Sequence, residues 1–384
     1  MMPDVTWEDL GQAALARQFP AADAGSVADL VARLGPIQSQ NARAPFIGLA
    51  ARHPGLTHAE ISAAYEAFEI VRGSNLRGTV HTATAADHGL LDAATRLGQR
   101  TIAARTLNLV DTTLEQVWRG IEDFASGQWR PPAELFEHLL EWLRRHDPQA
   151  PHRLDDPSGR YFAFSHGGLI RRPLGTAAWS GQGAPGYRTA VDVLSPDLSP
   201  VRRDLLENPE APADAIVLRH VSCYGPASRW DIAWWSGLGL RPIDAALMRL
   251  APELTGVTGP DARTYWHLRD QTPSPAYIPE SALLPEFDAL LCAYDPPARR
   301  RFVDPAHYDI LWKKQNGQLL APLLTHGRLT GFWRLAGSGA RRTLLVTYFK
   351  GTPKPTKTSL EGPTAALVAA LSVQVTDVQV QQHG

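Results

Sequence analysis

Two glutamines, one residue apart, are the side chains in this sequence with the clearest chemical use. Gln38 and Gln40 lie within residues 35–45, which read Gly-Pro-Ile-Gln-Ser-Gln-Asn-Ala-Arg-Ala-Pro. Each amide offers a carbonyl acceptor and two N–H donors, so the pair can orient one small target, such as a water molecule, without titrating. The alternative is a solvated loop after a Gly-Pro turn. The neighbouring elements bear on that choice.

The residues around the pair predict three short helices followed by a strand. Residues 26–34 are amphipathic and end at the Gly-Pro dipeptide, and residues 44–52 continue as a second helix. Residues 57–68 form the third, with Thr57 as N-cap and a glutamate three residues later. Residues 77–82 alternate like a strand. Three helices before a strand pair are the layout of a winged helix.

A second unit of this kind is predicted downstream. Helical patterns cover residues 112–126, 131–145 and 161–172, the second with proline in its first turn. A Gly/Pro-rich stretch at residues 173–187 then leads into a strand-like segment at residues 190–194. The order again predicts a winged helix.

The third unit has the clearest pattern. Helices are predicted at residues 213–224, 229–237 and 241–250, and two strands at 254–257 and 264–268 can form the wing around a Gly-Pro turn. Tandem units of one kind are therefore expected.

Two proline-rich stretches divide the chain. Residues 194–214 are interpreted as a linker, and residues 272–285 as the boundary to a different C-terminal module. We predict winged-helix units at residues 1–110, 111–194 and 195–272, followed by a β-rich module at 273–384.

The sequence pattern predicts that the C-terminal module is rich in strands. Asn316-Gly317 is the strongest hairpin signal in the chain and lies between β-compatible residues 308–314 and 318–324. Further strands are predicted at residues 329–335 and 342–350. A sheet with an exposed hairpin is therefore expected.

Positive charge is concentrated in this module. The chain has a net charge of −1, but residues 298–357 hold twelve Lys and Arg against two acids, which makes that segment +10 and the remainder −11. Aromatic residues are interleaved with the cations, which favours a polyanion partner over a merely soluble surface. The hairpin tip suits phosphates and minor-groove base edges, although an ordinary exposed turn also fits. The residues predicted to contact DNA are Arg43, Lys313, Lys314, Gln315, Asn316, Gln318, Arg328, Lys350, Lys354 and Lys357.

Signals for other chemistry are absent from the sequence. Cys223 and Cys292 have no Cys-x-x-Cys spacing, the apolar runs are far shorter than a membrane span, and the N-terminus lacks the basic region of a signal peptide. No metal-ligand cluster, phosphate-binding glycine loop or Gly-x-Ser-x-Gly elbow occurs. We expect a cytoplasmic, nucleoid-associated monomer that uses no metal or cofactor and binds no membrane.

Four segments follow one another in a characteristic order. They are Gly35-Pro-Ile-Gln-Ser-Gln-Asn-Ala-Arg, Leu76-Arg-Gly-Thr-Val-His81, Tyr224-Gly-Pro-Ala-Ser-Arg-Trp-Asp231 with Trp234-Trp-Ser-Gly-Leu238, and Leu283-Leu-Pro-Glu-Phe-Asp288 before the hairpin. Together they resemble the AlkZ/YcaQ family of winged-helix DNA glycosylases. The resemblance implies an α+β fold in which tandem winged-helix units precede a C-terminal β-rich, barrel-like module. These parts would form a concave DNA-binding surface, with a hairpin near the catalytic pocket.

The resemblance also implies the catalytic residues. The family signature is Gln, an aliphatic residue, then Gln in the AlkZ branch or Asp in the YcaQ branch. Gln38 and Gln40 are therefore the implied catalytic pair of an AlkZ-branch enzyme. Ser39 departs from the aliphatic position, so either the pocket wall is more polar here or Ile37 takes over the packing role.

Two more side chains are candidates for the same pocket, beside Ser39. Arg77 is a candidate phosphate ligand. His81 is a candidate pocket residue, but a structural histidine is at least as well supported because it has no placed partner.

The implied activity is monofunctional hydrolysis of the N-glycosidic bond of N7-alkylated purines in double-stranded DNA. The family resemblance implies an open cleft, which would admit bulky adducts or interstrand cross-links in DNA repair or self-resistance. The competing interpretation is a non-catalytic winged-helix DNA-binding protein such as a transcription regulator, which leaves the two glutamines without a purpose. A third is a relative that binds a small ligand in the cleft.

Overall fold

The computed structural model describes residues 4–21, 25–150, 154, 157–270, 277–313 and 317–384. The predicted hairpin tip residues 314–316 lie outside the described residues, as does the side chain of Lys313. No helix in the part of the chain that is described is long and apolar enough to cross a membrane.

The helices begin largely where the sequence supplies caps. Thr57 accepts a hydrogen bond from the Glu60 backbone N–H, and the Glu60 side chain accepts one from the Thr57 backbone, which is the predicted capping box. The same reciprocal cap opens helices at Thr6, Ser26 and Ser228. The α-helices are α1 (Trp7–Gln18), α2 (Val27–Leu34), α3 (Ala44–Arg52), α4 (His58–Glu66), α5 (His88–Leu107), α6 (Leu114–Phe124), α7 (Pro132–His146), α8 (Pro157–Phe162), α9 (Ala190–Val193), α10 (Ser199–Glu207), α11 (Ala211–Tyr224), α12 (Arg229–Ser236), α13 (Leu240–Arg249), α14 (Ala289–Cys292), α15 (Pro305–Leu311) and α16 (Lys357–Leu371).

Within the described residues, the strands form two five-stranded sheets and two short hairpins. Short 3₁₀ helices lie at Leu76–Gly78, Pro196–Leu198 and Pro296–Arg301. The strands are β1 (Ile37–Gln38), β2 (Ile70–Ser74), β3 (Val80–Thr84), β4 (Leu169–Pro173), β5 (Pro185–Thr189), β6 (Leu254–Thr258), β7 (Thr264–Leu268), β8 (Ser281–Leu283), β9 (Trp312–Lys313), β10 (Gln318–Leu319), β11 (Pro322–Thr325), β12 (Arg328–Ala336), β13 (Arg341–Tyr348) and β14 (Gln374–Gln382).

One order of elements occurs three times along the chain. In the first, α2, β1, α3 and α4 precede the paired strands β2 and β3, and β1 pairs with β3. In the second, Arg130 between α6 and α7 bridges to Tyr187 in β5. In the third, Ala227 between α11 and α12 bridges to Trp266 in β7. The first and third units have the predicted succession of three helices and a strand pair, while the winged-helix assignment and the domain boundaries at 110, 194 and 272 stay predictions.

The first two units share a sheet. β2 pairs with β4 through Arg72 opposite Arg171 and Gly73 opposite Ile170, so the strand order is β1-β3-β2-β4-β5. Pairing between strands almost a hundred residues apart leaves no local trace in the sequence, and the two units are more closely joined than tandem modules would be.

The C-terminal module is built on the second sheet. Its strand order is β14-β13-β12-β11-β8, antiparallel except for the β13–β14 pair, which is parallel and connected through α16. Leu367 of α16, Trp333 of β12 and Phe46 of α3 belong to one hydrophobic core. Helix α3, which follows the glutamine segment, therefore packs directly on the C-terminal module. The sequence did not predict α5, α16 or β14.

Two local predictions in the second unit are wrong. Residues 190–194 were expected as a strand but form α9, because the Ala190 N–H donates to the Gly168 carbonyl and ends β5 there. Residues 161–172 were expected as a helix but contain the end of α8 and most of β4. Pairing of β4 with β2 and β5 overrides the helical pattern of the isolated segment.

Two further predictions are wrong: the linker at residues 194–214, which rests on its prolines, and the strand at residues 308–314, which rests on the neighbouring Asn316-Gly317 hairpin signal. Residues 194–214 are not an extended linker: α10 carries Pro200 in its first turn and pairs Arg202 with Asp92 of α5 at 2.6 Å. Residues 308–314 were expected as a strand, yet α15 runs to Leu311, capped by Asp304, whose side chain accepts from the Ala306 N–H. Only β9 at its end is extended.

Candidate active site

The glutamine segment enters the site as extended chain. α2 ends at Gly35, whose φ of 85° favours glycine and where a Cβ would lie 2.4 Å from the Tyr224 hydroxyl. β1 then pairs with β3, and the Ser39 N–H donates to the Val80 carbonyl at 2.7 Å. Because side chains alternate along extended chain, Gln38 and Ser39 project to opposite sides, and the chain then bends at Gln40.

Ser39 belongs to a buried polar network behind the strand. Its hydroxyl bonds to the Ile37 carbonyl and the Thr82 hydroxyl, both at 2.8 Å. Thr82 in turn contacts the Tyr65 hydroxyl at 2.6 Å, which accepts from Arg72 at 3.2 Å. This network explains why a serine can replace the aliphatic residue of the family signature. Ser39 is 2% exposed and does not line the same side as Gln38.

The Gln38 amide is held by an arginine. Its Oε1 accepts from Nη2 of Arg77 at 3.1 Å, and the residue is only 9% exposed. A donor at this oxygen fixes which end of the amide faces Arg77. One carbonyl lone pair and both N–H bonds of Gln38 stay available on the other side.

The Gln40 amide is held by the backbone instead. Its Oε1 accepts from the Val80 N–H at 2.9 Å, although the residue is exposed. The next residue, Asn41, donates to Glu286 at 3.0 Å and so ties the segment to the C-terminal module. The two neutral amides are thus each held by one N–H donor, Gln38 in a buried position and Gln40 at the surface.

Arg77 lies at the tip of the β2–β3 turn and points inward. It donates to the Trp234 carbonyl at 3.4 Å and to the Trp235 carbonyl, both in the last turn of α12. Burial, with a contribution from Arg299, lowers the pKa of its guanidinium below the ordinary arginine value. The sequence identifies Arg77 as a candidate residue but does not indicate that its partner is Gln38. The turn between β2 and β3 brings the two side chains together.

His81 is a neutral neighbour of Gln38. The two residues are Cα partners in the β1–β3 pair, so their side chains share one face of the sheet. Nδ1 is 3.0 Å from the Thr79 carbonyl, which assigns the ring proton to Nδ1. Burial, and the charge of Arg77, lower the pKa of His81 to about 3. His81 is therefore uncharged at neutral pH, and its Nε2 carries a lone pair.

The chain matches the family model described as AlkZ-like, DNA glycosylase AlkZ-like, over residues 31–370. This span is more than half of the chain and contains both glutamines. The chain belongs to the AlkZ-like DNA glycosylase family. The resemblance drawn from the four sequence segments is confirmed, and membership in the AlkZ-like family supports DNA as the partner and base excision as the activity.

A solved structure shares the fold. The structure of Streptomyces sahachiroi DNA glycosylase AlkZ matches this chain with a TM-score of 0.78 at 16% sequence identity, covering 98% of this chain and 100% of that one. At this identity the likeness is one of fold. A search of curated proteins gave no match. The AlkZ-like fold accounts for the α+β class and for the β-rich C-terminal sheet.

The predicted DNA contacts lie mostly at the surface of this AlkZ-like chain. Lys350, Lys354, Lys357 and Gln318 are exposed, and Arg43 is half-buried at the start of α3. Arg328 is exposed but also donates to the carbonyls of Arg300 and Arg301, and burial lowers the pKa of its guanidinium. The hairpin root is present in β9 and β10, whereas Lys314, Gln315 and Asn316 lie outside the described residues.

The charge prediction needs one correction. Arg299 and Arg301 were counted in the positive segment, yet each is only 1% exposed. Arg301 pairs with Asp231 at 3.4 Å, and Arg299 packs its guanidinium over Trp234 and Trp312. Two of the twelve cations therefore serve the interior. Residues 299–301 are three arginines in succession, so the sequence does not indicate which of their side chains point inward.

Several supporting groups were not found from the sequence. They are the Val80 N–H, the carbonyls of Trp234 and Trp235, and the network of Thr82, Tyr65 and Arg72. The Trp-Trp pair was noticed only as part of the family resemblance. Among the described residues, no group of three or more His, Cys, Asp or Glu is arranged to hold a metal ion.

Proposed function

We propose that this protein is a monofunctional DNA glycosylase that hydrolyses the N-glycosidic bond of N7-alkylated purines in double-stranded DNA, with Gln38 and Gln40 as its catalytic residues. The observation that carries the proposal is the arrangement of the two amides. Gln38 ends β1 and Gln40 lies two residues further on, and their carbonyl oxygens accept hydrogen bonds from the Arg77 side chain and from the Val80 N–H at the start of β3. Neither amide titrates near neutrality.

The chemistry of the substrate suits such a pair. A purine alkylated at N7 carries a positive charge, so cleavage sends the electron pair of the glycosidic bond to the base and leaves it neutral. The leaving group therefore needs little protonation. The protein has to place a water against C1′ and tolerate positive charge on the sugar.

Each glutamine has a role in that step. The unoccupied carbonyl lone pair of Gln38 and of Gln40 accepts a hydrogen bond from the attacking water, and both amide dipoles face the developing sugar cation. The water oxygen bonds to C1′ as the bond to the base breaks, and the water proton passes to solvent. The products are the free base and an abasic site. His81, neutral in the working range, adds no acid or base.

We extend the proposal to bulky adducts and interstrand cross-links. Gln40 is exposed, which supports an attack at the duplex surface rather than in a closed pocket. A bulky or tethered base cannot easily be turned into a snug pocket. The exposed cations Lys350, Lys354 and Lys357 would hold the backbone of the duplex. DNA repair and self-resistance are the cellular roles that such an activity would serve.

The test is single-turnover release of N7-methylguanine from duplex DNA. We expect release by the wild type and none above background by the Gln38→Ala, Gln40→Ala double variant, with unchanged DNA affinity. The matched control is Gln149→Ala, which removes an exposed glutamine outside the segment and should leave release unchanged.

The alternative is a non-catalytic DNA-binding protein. Its signature would be salt-sensitive duplex binding that the double variant retains, with no base released from methylated, bulky-adduct or cross-linked substrates. Release from bulky substrates alone would keep the glycosylase and reassign its substrate. Absence of any salt-dependent DNA binding would support the small-ligand interpretation instead.

A further inference from the structure

We propose that Arg77 is a positioning residue that fixes the Gln38 amide for catalysis, rather than a ligand for a DNA phosphate. The proposal rests on the glycosylase function proposed above and deepens it. It gives a role to the turn between β2 and β3, whose tip faces the interior of the protein.

Three hydrogen bonds define the position of Arg77. Nη2 donates to Gln38 Oε1 at 3.1 Å, and Nη1 donates to the carbonyls of Trp234 and Trp235. The last carbonyls of a helix have no partner within the helix, so a cation at the end of α12 satisfies groups that would otherwise need water. Arg77 thus joins the catalytic segment of the first unit to a rigid helix of the third.

The backbone around Arg77 is built for this direction. Arg77 has φ 58° and ψ 15°, a left-handed conformation that costs a non-glycine residue about 1 kcal/mol or more. Across from it, Gly237 also has positive φ, and a Cβ at that position would lie 3.1 Å from Cγ of Arg77. Local strain and a side-chain-free neighbour together bring the guanidinium onto the helix end.

The charges around Arg77 indicate that it acts by orienting Gln38 and not through its own positive charge. Among the described residues, Arg77 has no carboxylate partner, and its acceptors are three neutral carbonyls. A cation beside a sugar that gains positive charge does not itself stabilise the transition state. A buried guanidinium is costly to keep without a counter-charge. Its benefit must therefore be the fixed orientation of Gln38.

The geometry also argues against a phosphate at this residue. Three of the five guanidinium N–H groups are committed to protein acceptors, and both nitrogens that a fork would present end-on are engaged. A phosphate ligand would have to compete with Gln38 for Arg77. The exposed lysines of the C-terminal module face no such competition.

The decisive test is a double-mutant cycle in single-turnover base release. Arg77→Ala alone should lower the rate constant by about 10- to 100-fold, the loss expected when a catalytic group is displaced by about 1 Å. In the Gln38→Ala background, the same substitution should change the rate constant by less than about twofold, because the group that it positions is already gone. The left-handed backbone conformation costs alanine about as much as arginine, so the substitution adds no backbone strain.

DNA binding separates the two roles of Arg77. A positioning residue leaves the dissociation constant and its salt dependence unchanged, whereas loss of a phosphate contact would weaken binding and lower the slope of log affinity against log salt by about 1. Arg77→Lys keeps the charge but cannot reach Gln38 and α12 together, so it should not restore the rate. Arg100→Ala, which removes an exposed arginine on α5, is the control and should change neither quantity.

A structural readout tests the proposal without base release. The side-chain ¹⁵N–¹H₂ signals of Gln38, assigned by their loss in Gln38→Ala, should be dispersed in the wild type. In Arg77→Ala they should move to the positions of a mobile glutamine such as Gln149.

The outcomes distinguish the two proposals. Additive rate losses, a weaker salt slope or unchanged Gln38 signals would overturn the positioning role while leaving the glycosylase intact. If the wild type releases no base from any substrate, the function falls, and the Gln38 signals still decide whether Arg77 holds the amide.

Discussion

The first and third units fill the same place in the fold with different residues. In both, a Gly-Pro dipeptide follows the first helix. The next residue then pairs with the last strand of the unit, Ile37 opposite Thr82 and Ala227 opposite Trp266. In the third unit, Ser228 at once caps α12 in a capping box with Asp231. In the first, α3 begins only at Ala44.

This delay creates the candidate active site. Residues 38–43 stay outside the helix, so Gln38 lies at the end of a strand and Gln40 in the bend that follows it, whereas Ser228 and Asp231 form the cap and are completely buried. The two units share one arrangement of elements, and polar side chains become available for a site only in the unit whose second helix begins several residues later. It also indicates that the third unit supports the site instead of duplicating it.

The two units also differ in how their arginines are compensated. In the third unit, Arg249 pairs with Asp214 at 2.6 Å, and Arg229 pairs with Asp244. In the first unit, Arg77 has only neutral acceptors among the described residues. Arg249 and Arg229 are thus each paired with a carboxylate, whereas Arg77, beside Gln38, has none among the described residues.

The largest expected effect is the loss of activity in Gln38→Ala, compared with the loss of a helix cap in Ser228→Ala. Gln38→Ala should lower the single-turnover rate constant by about 10²- to 10³-fold, as for loss of one preorganised polar group, with little change in stability. Ser228→Ala, at the matching place, should lower the free energy of unfolding by about 1 kcal/mol and leave the rate constant unchanged. Single-turnover kinetics and urea unfolding measure both. Equal rate losses in the two variants would break the comparison.

Both units should share a sensitivity to acid. Burial lowers the pKa of His81 in β3 and of His220 in α11 to about 3, from 6.5. The unfolded chain takes up these protons below pH 6.5 while the folded chain does not, so stability is fully present above pH 6.5 and falls as the pH drops towards 3. Each histidine should contribute about 1.4 kcal/mol per pH unit.

The measurement is the free energy of unfolding in urea at several pH values between 6.5 and 4.5. His220→Gln should reduce the slope against pH by about 1.4 kcal/mol per unit, whatever its absolute stability. The control is Gln149→Ala, which removes an exposed side chain that does not titrate and should leave the slope unchanged. A slope that His220→Gln does not alter would show that this histidine titrates normally in the folded protein.

A smaller effect is expected on the hidden side of the glutamine segment. Ser39→Ala removes a buried hydroxyl from the network of Thr82 and Tyr65 and should lower the free energy of unfolding by about 1–2 kcal/mol. The rate constant should fall far less than in Gln38→Ala, because Ser39 projects away from Gln38. Ser338→Ala, an exposed serine, should stay within about 0.5 kcal/mol of the wild type. A rate loss as large as that of Gln38→Ala would place Ser39 in the chemistry.

The smallest expected effect is that of pH on turnover. Because the proposed catalytic pair, Gln38 and Gln40, does not titrate and His81 stays neutral, the single-turnover rate constant should be nearly flat between about pH 6 and 8. Gln40→Glu introduces a titratable group at the same acceptor position and is the comparison variant. A bell-shaped profile of the wild type in this range would rule out the amide-only mechanism.

The sequence predicted those parts of the molecule that depend on local pattern. The cap at Thr57, the helices of the third unit and the segment around Gln38 and Gln40 were all readable, because capping residues, apolar spacing and a Gly-Pro boundary act within a few residues. The family resemblance added the catalytic role of the glutamines, which spacing alone left open, and that role stays a prediction.

Contacts between distant segments were not readable. Arg77 meets Trp235, which is far along the chain, and the Ser39 hydroxyl meets Thr82 across the sheet. The inward direction of Arg299 and Arg301 depends on Asp231 and on aromatic side chains from other elements. Such contacts arise from the packing of whole elements, and propensity over a short window does not contain them.

The shared sheet sets a limit on how this protein can be divided. A break near residue 110 would separate β2 from β4 and leave the backbone of Arg72 and Gly73 without strand partners on that side. An exposed strand edge of this kind pairs readily with other chains. We therefore expect the first two units to fold properly only when they are expressed together, even though each has its own three helices and its own hairpin.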